Sequence, residues 1–92
     1  MISSSIAAEA RIIIARNLTP NVAGADIEFF TATGHFHLTY YLDSAATDAD
    51  QEERELALCE LIAAFPAIRT AASAFGSAAE MPDKKELIFR RP

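Results

Sequence analysis

Near the start of the chain apolar residues recur at helical spacing: Ile6, Ala10, Ile13 and Ile14, with the polar Asn17 on the same side and Leu18 extending the apolar part. Separations of three and four residues stack side chains on one face of an α-helix. Glu9, Arg11 and Arg16 fall largely outside that stripe, and Ser3, Ser4 and Ser5 offer N-cap oxygens to the first turn. The β-branched run in "RIIIAR" is also compatible with a strand; the spacing favours a helix. Pro20, Asn21 and Gly24 then mark a loop.

From Ala25 to Asp43 the period changes to two. In "ADIEFFTATGHFHLTYYLD" the pair Thr33-Gly34 sits midway, and glycine tolerates the positive φ that a tight hairpin turn needs. With those two residues as the loop, Ala32 faces His35, Phe30 faces His37, Phe29 faces Leu38 and Glu28 faces Thr39. One side of the ribbon then carries Ile27, Phe29, Thr31, Phe36, Leu38 and Tyr40. The other carries Asp26, Glu28, Phe30, Ala32, His35, His37, Thr39 and Tyr41. A slip of one residue in one strand would mix the two sets, so their separation into an apolar and a mixed side supports this register.

"DSAATDADQEERELALCELIAAFP" returns to helical spacing. Asp50 followed by Glu53 fits a capping box with aspartate in the serine role. Leu58, Leu61, Ile62 and Phe65 make the apolar stripe of a helix from Gln51 to Phe65. Pro66 ends that helix or opens a shorter one, "PAIRTAASAF", stopped by Gly76. "SAAEMPDKK" reads as a loop with Pro82-Asp83 as a turn, and "ELIFR" as a last strand. The order is α-β-β-α-α-β. That predicts an α+β fold, a two-layer domain with helices packed on one face of a small, mainly antiparallel sheet. The 92 residues suit a single domain over residues 1–92.

Charge narrows the function. A net charge of −5 argues against nucleic acid as a ligand, because phosphate binding needs a basic surface. It suits a basic protein partner. From Asp43 to Glu60 the acids are Asp43, Asp48, Asp50, Glu52, Glu53, Glu55 and Glu60, and the only base is Arg54: seven less one, or −6. Acids near a helix N-terminus also offset the macrodipole, so a plain solvated face is the alternative to a capture surface. Asp48, Glu52, Glu55 and Glu60 are the candidate partner contacts. Phe30, His37, Thr39 and Tyr41, on the mixed side of the hairpin, are the second choice. The lone Cys59 precludes an internal disulfide and points to the reducing cytoplasm. "MISSSIAAEARIIIAR" lacks a basic start and is interrupted by Glu9 and Arg11, so neither a secretory leader nor a membrane span is expected.

Candidate chemistry is sparse. His35 and His37 point the same way on one strand, as two ligands of one metal can. A site still needs a third ligand; Asp26 and Glu28 lie near the opposite end of the hairpin and Cys59 is on a helix. The glycines at 24, 34 and 76 stand at turns, which leaves no phosphate-cradling loop, and no serine occupies a nucleophile elbow. Cys59 reads as a small hydrophobe within an apolar helix. Glu52 and Glu55 have no apolar pocket to raise a carboxyl pKa. No catalytic residue, metal or cofactor is expected.

The layout resembles bacterial immunity proteins that neutralise contact-dependent growth-inhibition toxins. The likeness lies in a small acidic α+β domain with "HFHLTYYLD", then "DADQEERELALCELIAAFP", then a closing "MPDKKELIFRRP". It implies a cytoplasmic, non-enzymatic protein that binds and blocks a cognate toxin, many such toxins being basic nucleases. Two other readings stay open: a small enzyme or metal-binding subunit using the His35/His37 strand face, and an adaptor or oligomerisation domain. A homo-oligomer is compatible with so small a core.

Overall fold

A computed structural model describes residues 4–81 and 87–91. The elements are α1 (Ser4–Arg16), β1 (Val22–Phe30), β2 (His35–Leu42), α2 (Asp48–Ala64), β3 (Thr70–Ser77), a short 3-10 turn (Ala78–Glu80) and β4 (Phe89–Arg90). The sheet order is β3-β2-β1-β4. β1 is antiparallel to both β2 and β4, whereas β2 and β3 run parallel. α1 packs beside β4, α2 beside β3, and the helices touch each other, which gives the expected two-layer α+β arrangement. Among the described residues no helix is long and apolar enough to cross a membrane.

The stripe on α1 is the buried one: Ala10, Ile13, Ile14 and Asn17 are buried, and Glu9, Arg11 and Arg16 are exposed. Ser4 is already helical, so the expected serine cap lies outside the described residues. Burial of Asn17 is made tolerable by its bonds. Its side-chain amide donates to the Ile13 carbonyl (2.8 Å) and to the Glu60 carboxylate (3.1 Å), and its backbone carbonyl accepts from the Tyr40 hydroxyl at 2.7 Å. Burial, then the nearby Glu53 and Glu60, push the Tyr40 phenol well up, so it remains a donor. Tyr40→Phe should lower stability by about 1 kcal/mol, because it strands a buried acceptor. The readout is a lower urea midpoint with an unchanged slope, and an unmoved midpoint would show that this bond contributes nothing net.

β1 starts at Val22, so Gly24 belongs to a strand and not to the expected loop. Val22 faces Leu42 and Gly24 faces Tyr41, leaving Ala23 as the extra residue of a bulge. A Cβ on Gly24 would come 2.5 Å from the Met81 sulfur and 3.1 Å from the Phe89 carbonyl oxygen. Its absence lets Met81 and β4 close onto this end of the sheet.

The hairpin departs from expectation in an instructive way. Phe30 faces His35, Phe29 faces Phe36, Glu28 faces His37 and Ile27 faces Leu38. The loop is Thr31 to Gly34, not Thr33-Gly34, and every pairing is two residues from the expected one. The Phe30 carbonyl accepts from the Thr33 and Gly34 amides (3.2 and 2.8 Å), and Gly34 takes a φ of 73° to rejoin the strand. A shift of two leaves each side chain on its own face. Ile27, Phe36, Leu38 and Tyr40 are therefore buried as expected, with Phe29 partly buried against them.

α2 begins at Asp48 with Thr47 as its N-cap. Asp50 is the third-position partner in that capping box, and Glu53 is not part of it. Asp50, Ala57 and Leu61 are buried, Leu58 and Phe65 are partly buried, and Ile62, expected in the stripe, is exposed.

The expected short helix "PAIRTAASAF" does not form; its place is taken by β3. Ile68, Ala71 and Phe75 fit helical spacing, but Ala71, Ser73 and Phe75 also fit a strand facing the helices. An eight-residue ladder from His35–Thr70 to Leu42–Ser77 outweighs the modest helix preference of alanine. α2 is the crossover that a parallel strand pair requires. The expected Pro82-Asp83 turn lies outside the described residues. The last strand is shorter than "ELIFR", covering Phe89–Arg90.

Candidate functional site

Positions 48, 52, 55, 59 and 62 recur at intervals of three and four, so they share one side of α2. That side faces away from the sheet. Asp48, Glu52, Glu55, Leu56, Cys59 and Ile62 are all exposed, Leu56 by 51% and Ile62 by 41%. Acids occupy its N-terminal half and apolar groups its C-terminal half. The segment's single base does not offset the acids, because Arg54 turns to the sheet side and lies over the Phe75 ring, 4.2 Å from its centre. Glu55 accepts one bond, from the Gln51 amide at 3.2 Å. Exposed apolar groups beside charged ones are the materials of a protein-binding surface, the first for desolvated contact and the second for steering.

Glu60, expected on this face, is elsewhere. Its carboxylate accepts from Arg16 at 2.9 Å and from Asn17 at 3.1 Å, ties α2 to α1, and is held below the ordinary glutamate range by those bonds. Asp50 is also drawn into the fold, and unlike the part-exposed Glu60 it is fully internal, 1% exposed. It accepts from the Thr19 hydroxyl (2.5 Å), the Asn21 amide (2.9 Å) and the Thr47 backbone N–H (2.9 Å). Burial pushes its carboxyl up, but these bonds outweigh burial and hold it at about 2. Asn21 in turn accepts from the Ser44 amide and hydroxyl (3.0 and 2.8 Å), so one polar cluster joins the start of β1, the loop after β2 and the first turn of α2. Asp43 pairs with Arg91 beyond β4. The acidic segment thus divides: Asp43, Asp50 and Glu60 bond to other elements, Glu53 is half-buried, and Asp48, Glu52 and Glu55 face solvent.

The second-choice residues Phe30, His37, Thr39 and Tyr41 do share the outward sheet face, with Asp26, Glu28 and His35 beside them. Phe30, 50% exposed, stacks on the His35 ring with centres 6.2 Å apart. His35 Nδ1 lies 2.8 Å from the Thr70 hydroxyl, and His37 Nδ1 lies 3.3 Å from the Thr39 hydroxyl. The Tyr41 ring covers Gly76, where a Cβ would come 2.9 Å from it. Burial raises the Tyr41 phenol, and Asp26, Glu28 and Glu80 add to it, so this face is acidic as well. Among the described residues no group of three His, Cys, Asp or Glu side chains could hold a metal.

Sequence reasoning missed the exposed Leu56 and Ile62, and placed Cys59 in an apolar setting when it is exposed. The signal was present: Leu56, Leu58, Leu61 and Ile62 span more of the helix circumference than one buried stripe covers. Among curated proteins none matches this chain. The family model described as MafI2 immunity protein matches it over residues 6–92.

Proposed function

The chain belongs to the MafI2 immunity protein family, and from that premise we propose that it is a cytoplasmic, non-enzymatic protein that neutralises a basic toxin by docking it on the outward face of α2. The observation that carries this reading is the solvent face formed by Asp48, Glu52 and Glu55 beside Leu56 and Ile62, with Arg54 turned away from it. The acids steer a positively charged toxin into encounter. Leu56 and Ile62 then supply the desolvated contacts that slow its departure. A nuclease delivered by contact-dependent growth inhibition is the toxin type this charge suits best, since its nucleic-acid site must be basic.

The test is binding kinetics against the cognate toxin domain at two salt concentrations. Reversing Asp48, Glu52 and Glu55 to lysine should slow association about tenfold at low salt and leave the fold intact, because these residues touch nothing in the core. Wild-type association should weaken as salt rises. Leu56→Ala with Ile62→Ala should instead speed dissociation. Unchanged rates in both variants would transfer the binding role to the outward sheet face of Phe30, His37, Thr39 and Tyr41.

A further inference from the structure

The two edges of the sheet are built differently. β4 is two residues long, carries Arg90, and is followed by Arg91, whose backbone N–H donates to the Ala23 carbonyl. Short length and positive charge are the ordinary protections of an edge strand. β3 has neither. It is eight residues, "TAASAFGS", without charge or proline. The Thr70 amide donates to the Gly34 carbonyl on the β2 side, so strand alternation points the N–H and C=O groups of Ala71, Ser73 and Phe75 outward. The next outward amide, Ser77, donates to the Glu80 carboxylate at 3.1 Å, which closes the ladder at that end.

We infer that β3 pairs antiparallel with β3 of a second copy, joining two sheets into one. Centring the pair on Ser73 uses all three open backbone positions: Ser73 faces its counterpart, and Ala71 faces Phe75. Side-chain sizes agree with this centre. On the helix side each Phe75 ring meets an Ala71 methyl, and on the outward side Ala72 meets Ala74, small against small. Charge agrees too. Arg69 enters β3 and is exposed, and in this pairing it faces Ser77, whose amide is held by the exposed Glu80. Each copy thus sets a cation opposite the other's anion at both ends of the ladder. The strand itself is neutral, so two chains of net charge −5 meet where like charges do not oppose them.

The experiment is sedimentation equilibrium of the protein alone over a wide concentration series, with circular dichroism to verify folding of each variant. The wild type should reach twice the monomer mass. Ser73→Pro removes an outward N–H that no strand among the described residues uses and should leave a monomer. Ala72→Lys with Ala74→Lys places lysines opposite one another and should weaken the dimer about tenfold or more. Arg69→Glu should weaken it, and Arg69→Glu with Glu80→Arg should restore it, which a local structural role for either residue would not produce. A wild type that stays monomeric throughout would overturn the inference, even if a toxin strand were then found on this edge. So would a dimer that folded Ser73→Pro and Ala72→Lys/Ala74→Lys proteins both retain. Because no toxin is present, failure here leaves the proposed role of α2 untouched.

Discussion

Phe36→Ala should lower stability by roughly 3–5 kcal/mol, the usual loss for emptying a buried phenylalanine site. Phe36 is 1% exposed. It belongs to the core cluster on the helix-facing side of β2, and its ring meets that of Phe29 with centres 6.3 Å apart and planes tilted by 49°. A chain of this size has a total stability of only about 5–15 kcal/mol, so the variant should be substantially unfolded at modest urea. Phe30→Ala, one residue from Phe29 but on the opposite sheet face and half exposed, should cost well under 1 kcal/mol. The comparison is two urea curves against wild type. Equal losses would contradict the assignment of sheet faces.

Replacing Asp50 should be nearly as damaging, by a different route. Asp50→Ala leaves the Thr19 hydroxyl, the Asn21 amide and the Thr47 N–H without their acceptor. Stranded donors at a carboxylate site cost on the order of 2–3 kcal/mol. The same site shapes the acid response. Its carboxyl titrates at about 2 in the fold against an ordinary 3.8, so folding favours the ionised form. The stabilisation is fully present above the unfolded value near 3.8 and fades as pH falls from there through about 2. Wild type should therefore lose stability more steeply than Asp50→Asn over that interval, and above it the two should differ by a constant amount. Parallel curves between pH 4 and 2 would show that Asp50 is not the group responsible.

These two sites also mark how far the sequence could be read. Phe36 was assignable to the core because period-two alternation is a local property of the chain. Asp50 reads locally as the cap of a helix, with Glu53 as its partner, and nothing nearby marks it as a buried acceptor. Its burial depends on Thr19 and Asn21, about thirty residues earlier, and no local pattern announces which distant hydroxyl or amide will reach a carboxylate. The interhelical bonds of Glu60 escape the sequence for the same reason, since its partners Arg16 and Asn17 belong to the other helix.

By itself the sequence determined the buried stripe of α1, the two faces of the hairpin, the positive-φ role of Gly34 and the α+β class. Each follows from spacing along the backbone or from the conformational freedom of one residue. Only the tertiary structure decided the hairpin register, because face sorting is insensitive to a shift of two. Only it decided that "TAASAFGS" is a strand, since the outcome depends on pairing with the edge of β2, to which α2 returns the chain. And only packing divided the acids, drawing Asp50 and Glu60 into bonds between elements and leaving Asp48, Glu52 and Glu55 on solvent-facing α2 beside Leu56 and Ile62, where burial of Ala57 and Leu61 fixes the helix rotation.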